Sequence, residues 1–159
     1  MTEKTKRWNI GRMNDIHALI IRLQEVREVL LAPIRPILNE YSLTEQQWRI
    51  LWLLESTAGQ GLEAVKIAKL CCILQPSLTR ILERLEHDGL IARKPLDFGV
   101  RGAKIQLTAR SQSLIARVQP RLECQYEAIE CQVGLEKLRD LCVALRNMQE
   151  VAHDRSDLT

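Results

Sequence analysis

One stretch, Leu74 to Leu107, narrows what this chain can fold into more than any other. Gln75-Pro76-Ser77-Leu78-Thr79-Arg80-Ile81-Leu82-Glu83-Arg84-Leu85-Glu86-His87-Asp88-Gly89 reads as a helix with marked ends. Pro76 suits the first helical position, where a missing N–H removes no intrahelical bond. Gly89 suits the exit, where the backbone often turns left-handed. Leu78, Ile81, Leu82 and Leu85 recur at helical spacing and form one apolar stripe. Gln75, Ser77, Thr79, Arg80 and Arg84 are left facing outward. That face is short, polar and basic, the chemistry a helix needs to lie in a major groove. Leu90 to Lys94 and the alternating run Ala103 to Leu107 then read as a β-hairpin with basic edges.

The segments on either side predict more helix. Leu62 to Cys72 reads as a short helix packing through Val65, Ala68 and Leu70, with Ile73-Leu74 as the turn into the helix above. Helix, turn, helix and basic hairpin together predict a winged helix-turn-helix. Upstream, Thr44 and Gln47 have the spacing of a capping box. They open a helix to about Thr57 that offers Trp48, Leu51, Trp52 and Leu54 to a core. From Gly11 to Leu38, Ile16, Leu19, Ile20, Leu23, Val26, Leu30 and Ile34 recur at three and four, predicting one long amphipathic helix interrupted or kinked near Pro33 and Pro36. Residues 1–10 read as a basic tail. Beyond the hairpin, a helix from Thr108 to about Val133 carries Leu114, Ile115, Val118, Leu122, Tyr126 and Ile129, with Pro120 inside it. After Gly134, Leu135, Leu138, Leu141, Cys142, Leu145, Met148 and Val151 form a near-heptad stripe, the pattern of a helix that meets another copy. The expected fold class is mainly α with a small β wing (α+β). It comprises an N-terminal dimerisation helix over 11–43, a DNA-binding lobe over 44–108 and C-terminal dimerisation helices over 109–152.

Charge agrees with that division. The net charge of +3 is slight, but residues 60–110 hold nine Lys/Arg against five Asp/Glu, while 111–159 hold six against eight. The positive excess sits on the helix-and-hairpin segment, where contact with a polyanion needs it. No apolar run approaches the roughly 20 residues that span a bilayer. The charged start, Met1 to Arg7, lacks an apolar signal core, so a cytoplasmic protein is expected. The five cysteines fit no zinc or redox spacing. No HExxH, phosphate loop or GxSxG is present, and Asp97-Phe98-Gly99 matches a kinase metal motif without any other part of a kinase. Neither an enzyme nor a cofactor or metal site is predicted.

Several phrases go further. Leu23-Gln24-Glu25-Val26-Arg27-Glu28, Arg35-Pro36, Leu43-Thr44-Glu45-Gln46-Gln47-Trp48-Arg49-Ile50, Cys72 to Thr79, Asp88-Gly89-Leu90-Ile91 and Leu107-Thr108 resemble the MarR family of dimeric winged-helix regulators. Within it they resemble the HpaR-like branch, regulators of homoprotocatechuate and related aromatic-acid breakdown. The resemblance covers about residues 20 to 110. It implies a homodimer whose two recognition helices enter successive major grooves of a palindromic operator. It also implies repression relieved by a small aromatic acid or its thioester. One departure stands out: the wing of the family usually carries Asp-x-Arg, and here Gly99 precedes Arg101, with Asp97 two residues earlier.

The candidate DNA contacts are therefore Gln75, Pro76, Ser77, Thr79, Arg80 and Arg84 on the helix, and Arg93, Lys94, Arg101 and Lys104 on the wing. Strand-edge lysines also serve simply to discourage edge pairing. Candidate effector contacts are His17, Arg27, Arg35, Trp48, Arg49 and Trp52, because an aromatic carboxylate needs an arginine fork and apolar walls. The tryptophans read equally as core and Arg27 and Arg35 as ion pairs across a dimer. The alternative mechanism is oxidant sensing through cysteine. There Cys71 and Cys72 read as packing residues, and Cys124, Cys131 and Cys142 lie on or beside the dimer helices. A winged-helix adaptor without DNA binding is a third class.

Overall fold

The computed structural model describes residues 15–95 and 102–156, with side chains through residue 150. Its elements are α1 (Asp15–Leu31), α2 (Ile34–Glu40), α3 (Glu45–Glu55), β1 (Leu62–Glu63), α4 (Ala64–Cys71), α5 (Gln75–His87), β2 (Ile91–Pro95), β3 (Ala103–Leu107), α6 (Ala109–Val133) and α7 (Leu135–Ser156). The expected mainly helical fold with a small β wing is what forms. Arg101, Asp97 and Gly99, singled out in the wing, lie outside the described residues.

Local chemistry sets most boundaries. The predicted capping box is present: Gln47 N–H donates to Thr44 Oγ1 at 3.2 Å, and Thr44 N–H to Gln47 Oε1 at 2.8 Å. Thr108 and Ser111 repeat the device at the start of α6. α5 ends as Gly89 requires, at φ +67°. There Leu90 N–H donates to the Leu85 carbonyl and Gly89 N–H to that of Glu86, the paired bonds of a Schellman turn. The interruption expected near Pro33 is present: Pro33 stands between α1 and α2 and cannot supply an interior N–H. Pro36 is tolerated in the first turn of α2. Pro76 occupies the second position of α5 rather than the first.

The expected helix over 62–72 begins two residues late. Leu62 and Glu63 form β1, which pairs antiparallel with β3 (Leu62 opposite Ile105). β3 is thus the middle strand of a three-stranded sheet, with β2 on its other side in the register Ile91–Leu107 to Pro95–Ala103. On α4, Ile67, Ala68 and Cys71 are buried, whereas Val65 and Leu70, read as packing residues, are exposed. Gly61 delivers the chain to β1 at φ +68°, where a Cβ would lie 2.5 Å from Gln106 Cγ and 2.6 Å from the Ile105 carbonyl oxygen. No other residue fits there without displacing the sheet.

A single core gathers α2, α3, α4, α5, the sheet and the first half of α6. Ile50, Leu51, Leu54, Ile67, Leu78, Leu82, Leu85, Ile105, Ile115, Val118 and Leu122 are essentially inaccessible. Truncating any one Leu or Ile among them to Ala would cost about 2–5 kcal/mol. The ends of the chain differ. α1 has no buried residue over 17 positions, and Ile20, Leu23, Val26 and Val29 are exposed. On α7, Leu135, Leu141, Val143 and Met148 are exposed. No helix among the described residues is long and apolar enough to cross a membrane.

Candidate nucleic-acid interface and effector pocket

α5 is held by its apolar stripe, so its remaining face is fixed outward. Leu78, Leu82 and Leu85 are buried and Ile81 is half-buried, leaving Gln75, Pro76, Ser77, Thr79, Arg80 and Arg84 exposed, as predicted. They are not equally available. The Thr79 hydroxyl donates to the Gln75 carbonyl at 3.1 Å, which leaves chiefly its methyl group to offer. Arg84 Nε donates to Asp88 at 2.9 Å, at the far end of the helix. Gln75, Ser77 and Arg80 form the free polar end.

The wing adds charge beside this helix. Arg93, Lys94 and Lys104 are all exposed. Arg93 Nε is bonded to Glu86 of α5 at 2.9 Å, which ties the wing to the helix and half-neutralises that cation. Lys94 and Lys104 face each other across β2 and β3. Like charges directly opposite in an antiparallel pair are destabilising. Glu63 of β1 stands opposite Lys104 on its other side, so Lys94 is the less compensated of the two.

A separate cavity of about 380 Å³ lies behind the helix-turn-helix, between α3 and α6 with the ends of α1 and α2. Leu31, Ile34, Leu38, Trp48, Trp52, Leu122 and Tyr126 give it apolar walls. Glu45, Arg49, Gln119 and Glu123 are its polar groups. Trp48 is buried and Trp52 is 46% exposed; their rings are 6.0 Å apart at 31°. Burial holds the Tyr126 phenol above its ordinary pKa, against an opposing hydrogen bond from Trp48, so it remains a neutral donor. Volume and lining suit a small aromatic molecule.

Of the sequence-predicted effector residues, the structure brings Trp48, Arg49 and Trp52 together in this cavity. Arg27 and Arg35 stand behind it rather than on its wall. Both reach Glu45, which is also 3.9 Å from Arg49, and both bond to Glu28. The Arg35 fork, donating to Glu28 at 2.7 and 3.0 Å, lowers the Glu28 pKa. His17 is exposed near the start of α1 and is not among the cavity residues. Sequence reading missed Glu45, Tyr126, Gln119 and Glu123. Glu45 sits inside a quoted phrase, one residue after a cap, where an acidic residue has an ordinary explanation.

Arg49 belongs to both regions. Its Nη1 donates at 2.8 Å to the Cys71 carbonyl, the open end of α4, just before Cys72 turns left-handed at φ +51°. The cavity wall is thereby joined by one side chain to the turn that precedes α5.

The thiols divide. Cys71 is buried, and desolvation raises its pKa, the reverse of what a sensing thiolate needs. Cys72, read as a packing residue, is exposed, as are Cys124, Cys131 and Cys142. No group of three or more His, Cys, Asp or Glu among the described residues is placed to hold a metal.

A family model described as MarR family matches residues 43–97, the lobe containing the helix-turn-helix. The homoprotocatechuate degradative operon repressor of Escherichia coli is 38% identical over 141 residues, 88% of this chain and 93% of that protein. The HTH-type transcriptional regulator FarR of Neisseria gonorrhoeae is 38% identical over 138 residues, 84% of this chain and 93% of that one. Among solved structures, NadR in complex with 4-hydroxyphenylacetate is 37% identical and superposes with a TM-score of 0.72, covering 84% of this chain and 98% of that one.

Proposed function

This chain belongs to the MarR family of transcription regulators, and from that premise we propose that it is a homodimeric, DNA-binding repressor of an operon for aromatic-acid breakdown, released by a small aromatic acid or its thioester. The observation that carries DNA binding is the exposed polar end of α5, Gln75, Ser77 and Arg80, flanked by the opposed pair Lys94 and Lys104. Gln75 and Arg80 have the donors to read base edges, and the lysines supply phosphate contacts. A second copy of the chain accounts for α1 and α7. Helices of 17 and 22 residues with exposed apolar stripes are marginal alone and stable when two copies cover each other.

The effector class rests on the cavity walls of Trp48, Trp52 and Tyr126, with support from the relatives. One is named for a homoprotocatechuate operon and another is solved with 4-hydroxyphenylacetate. In this reading Arg49 pairs with the carboxylate, while Glu45 or Glu123 accepts from a ring hydroxyl. Engaging Arg49 competes with its bond to the Cys71 carbonyl, and so disturbs the entry to α5. A ligand shifts the dimer away from the DNA-competent arrangement only by as much as it prefers the other one.

The test is a titration of the purified protein on the DNA upstream of its own gene, with phenolic acids and their coenzyme A thioesters as competitors. Tight binding whose affinity falls steeply with salt, and release by one of these compounds in reducing buffer, are expected. Binding insensitive to all of them but lost on peroxide treatment and regained with thiol would move regulation to the exposed cysteines. No salt-dependent binding would sink the DNA reading.

A further inference from the structure

Leu74 is misplaced by every ordinary rule of helix construction. It is the N-cap of α5, its carbonyl accepting from Leu78 N–H at 2.9 Å, yet its side chain makes no capping bond. Ser, Thr, Asp and Asn are preferred at such a position because they accept from the first-turn N–H groups. Nor does Leu74 pack. At 79% exposure it is the most exposed large hydrophobic side chain among the described residues, although Ile73 and Leu78 on either side are buried.

Its neighbours in sequence are mixed, with Val65 and Leu70 of α4 also exposed. The exposed residues Gln75, Ser77 and Arg80 follow it, and Lys66 and Lys69 are exposed on α4 before it. An exposed apolar side chain beside a polar, basic helix end suits a partner that is anionic with isolated apolar groups. The major groove of DNA is such a surface. Among base edges there, only thymine carries a methyl group.

We propose that Leu74 is a specificity residue that packs on the C5-methyl group of a thymine in each half of the binding site. This rests on the DNA-binding reading and adds to it an apolar contact beside the polar ones. Removing one buried methyl corresponds to about a threefold to fourfold loss of affinity per half-site, and about tenfold over two.

The experiment is a cycle on the full-length protein. The region upstream of the gene is footprinted, and the protected duplex is made once with thymine and once with deoxyuridine, which lacks only the methyl. Wild type, Leu74→Ala and Leu74→Ser are titrated against both. Wild type is expected to favour thymine about tenfold, and both variants to lose most of that preference while keeping the salt dependence. Leu74→Ser is also expected to unfold at higher urea than Leu74→Ala, because serine restores the cap. An equal thymine preference in all three proteins, or none in the wild type, overturns the proposal and leaves DNA binding standing. Failure of the wild type to bind either duplex overturns both.

Discussion

Replacing Arg49 with methionine removes both of its duties at once, because methionine keeps much of the apolar stem and lacks the fork. The fork satisfies the Cys71 carbonyl at 2.8 Å, at the negative end of α4. A hydrogen bond from a charged group contributes about 1.5–3 kcal/mol when well shielded. The Arg49 side chain is 39% exposed, which places it toward the lower bound. A cation at a helix C-terminus adds about 0.3–1 kcal/mol. The contact to Glu45 at 3.9 Å adds little, as surface pairs do. The sum is roughly 2 kcal/mol. With a urea slope of about 2 kcal/mol/M, the midpoint falls by about 1 M, measured by circular dichroism at matched protomer concentration. A second measurement uses the same variant on DNA. It is expected to bind the upstream duplex more weakly than wild type even without effector, because the loss of the Cys71 contact disturbs the entry to α5, and to respond little to added aromatic acid. A midpoint within about 0.2 M of wild type would show that the Cys71 carbonyl does not depend on Arg49. Wild-type DNA affinity together with full release at the wild-type effector concentration would refute the link from cavity to helix turn.

Other expectations follow from single side chains. Gly61→Ala is expected to destabilise by more than about 2 kcal/mol, read by urea unfolding, because positive φ and a clash with backbone coincide there. Lys94→Ala and Lys104→Ala are each expected to lower the magnitude of the logarithmic salt slope by about 0.9 for every phosphate the lysine neutralises. In native protein a thiol reagent should modify Cys72 promptly and leave Cys71 untouched until unfolding. Since burial raises the Cys71 pKa, its protonated form is favoured by folding; the associated stability is present below the ordinary thiol value and declines as pH rises past it. The Glu40 carboxylate runs the other way. Its bonds to Arg121 lower its pKa, so its contribution is present above the ordinary carboxylate value and is lost on acidification. Glu40→Gln should therefore flatten the acid limb of a stability profile.

The sequence was most legible where one residue has one job. Thr44 with Gln47, Gly89 and the 78–82–85 leucines mark ends and faces that local geometry alone dictates, and the structure keeps them. It was least legible where a tertiary partner decides. A two-residue strand at Leu62 has no periodicity to detect; only its partner Ile105 makes it a strand. Which face α4 buries, Ile67 and Cys71 rather than Val65 and Leu70, is likewise set by its neighbours. The cavity shows the same limit. Trp48, Arg49 and Trp52 follow from α3 alone, but Tyr126 and Glu123 arrive from α6, far along the chain. Arg27 and Arg35 have the right chemistry for a carboxylate and already hold one, that of Glu45.

β1 also bears on how the lobe comes apart. Pairing Leu62 with Ile105 joins the residues just before α4 to those well after α5, so the two helices sit inside a loop closed by backbone hydrogen bonds. The lobe therefore depends on a long-range contact as well as on its helices. In native-state hydrogen exchange, amides of α4, α5 and β3 should open together as one unit, while those of α1 fray separately.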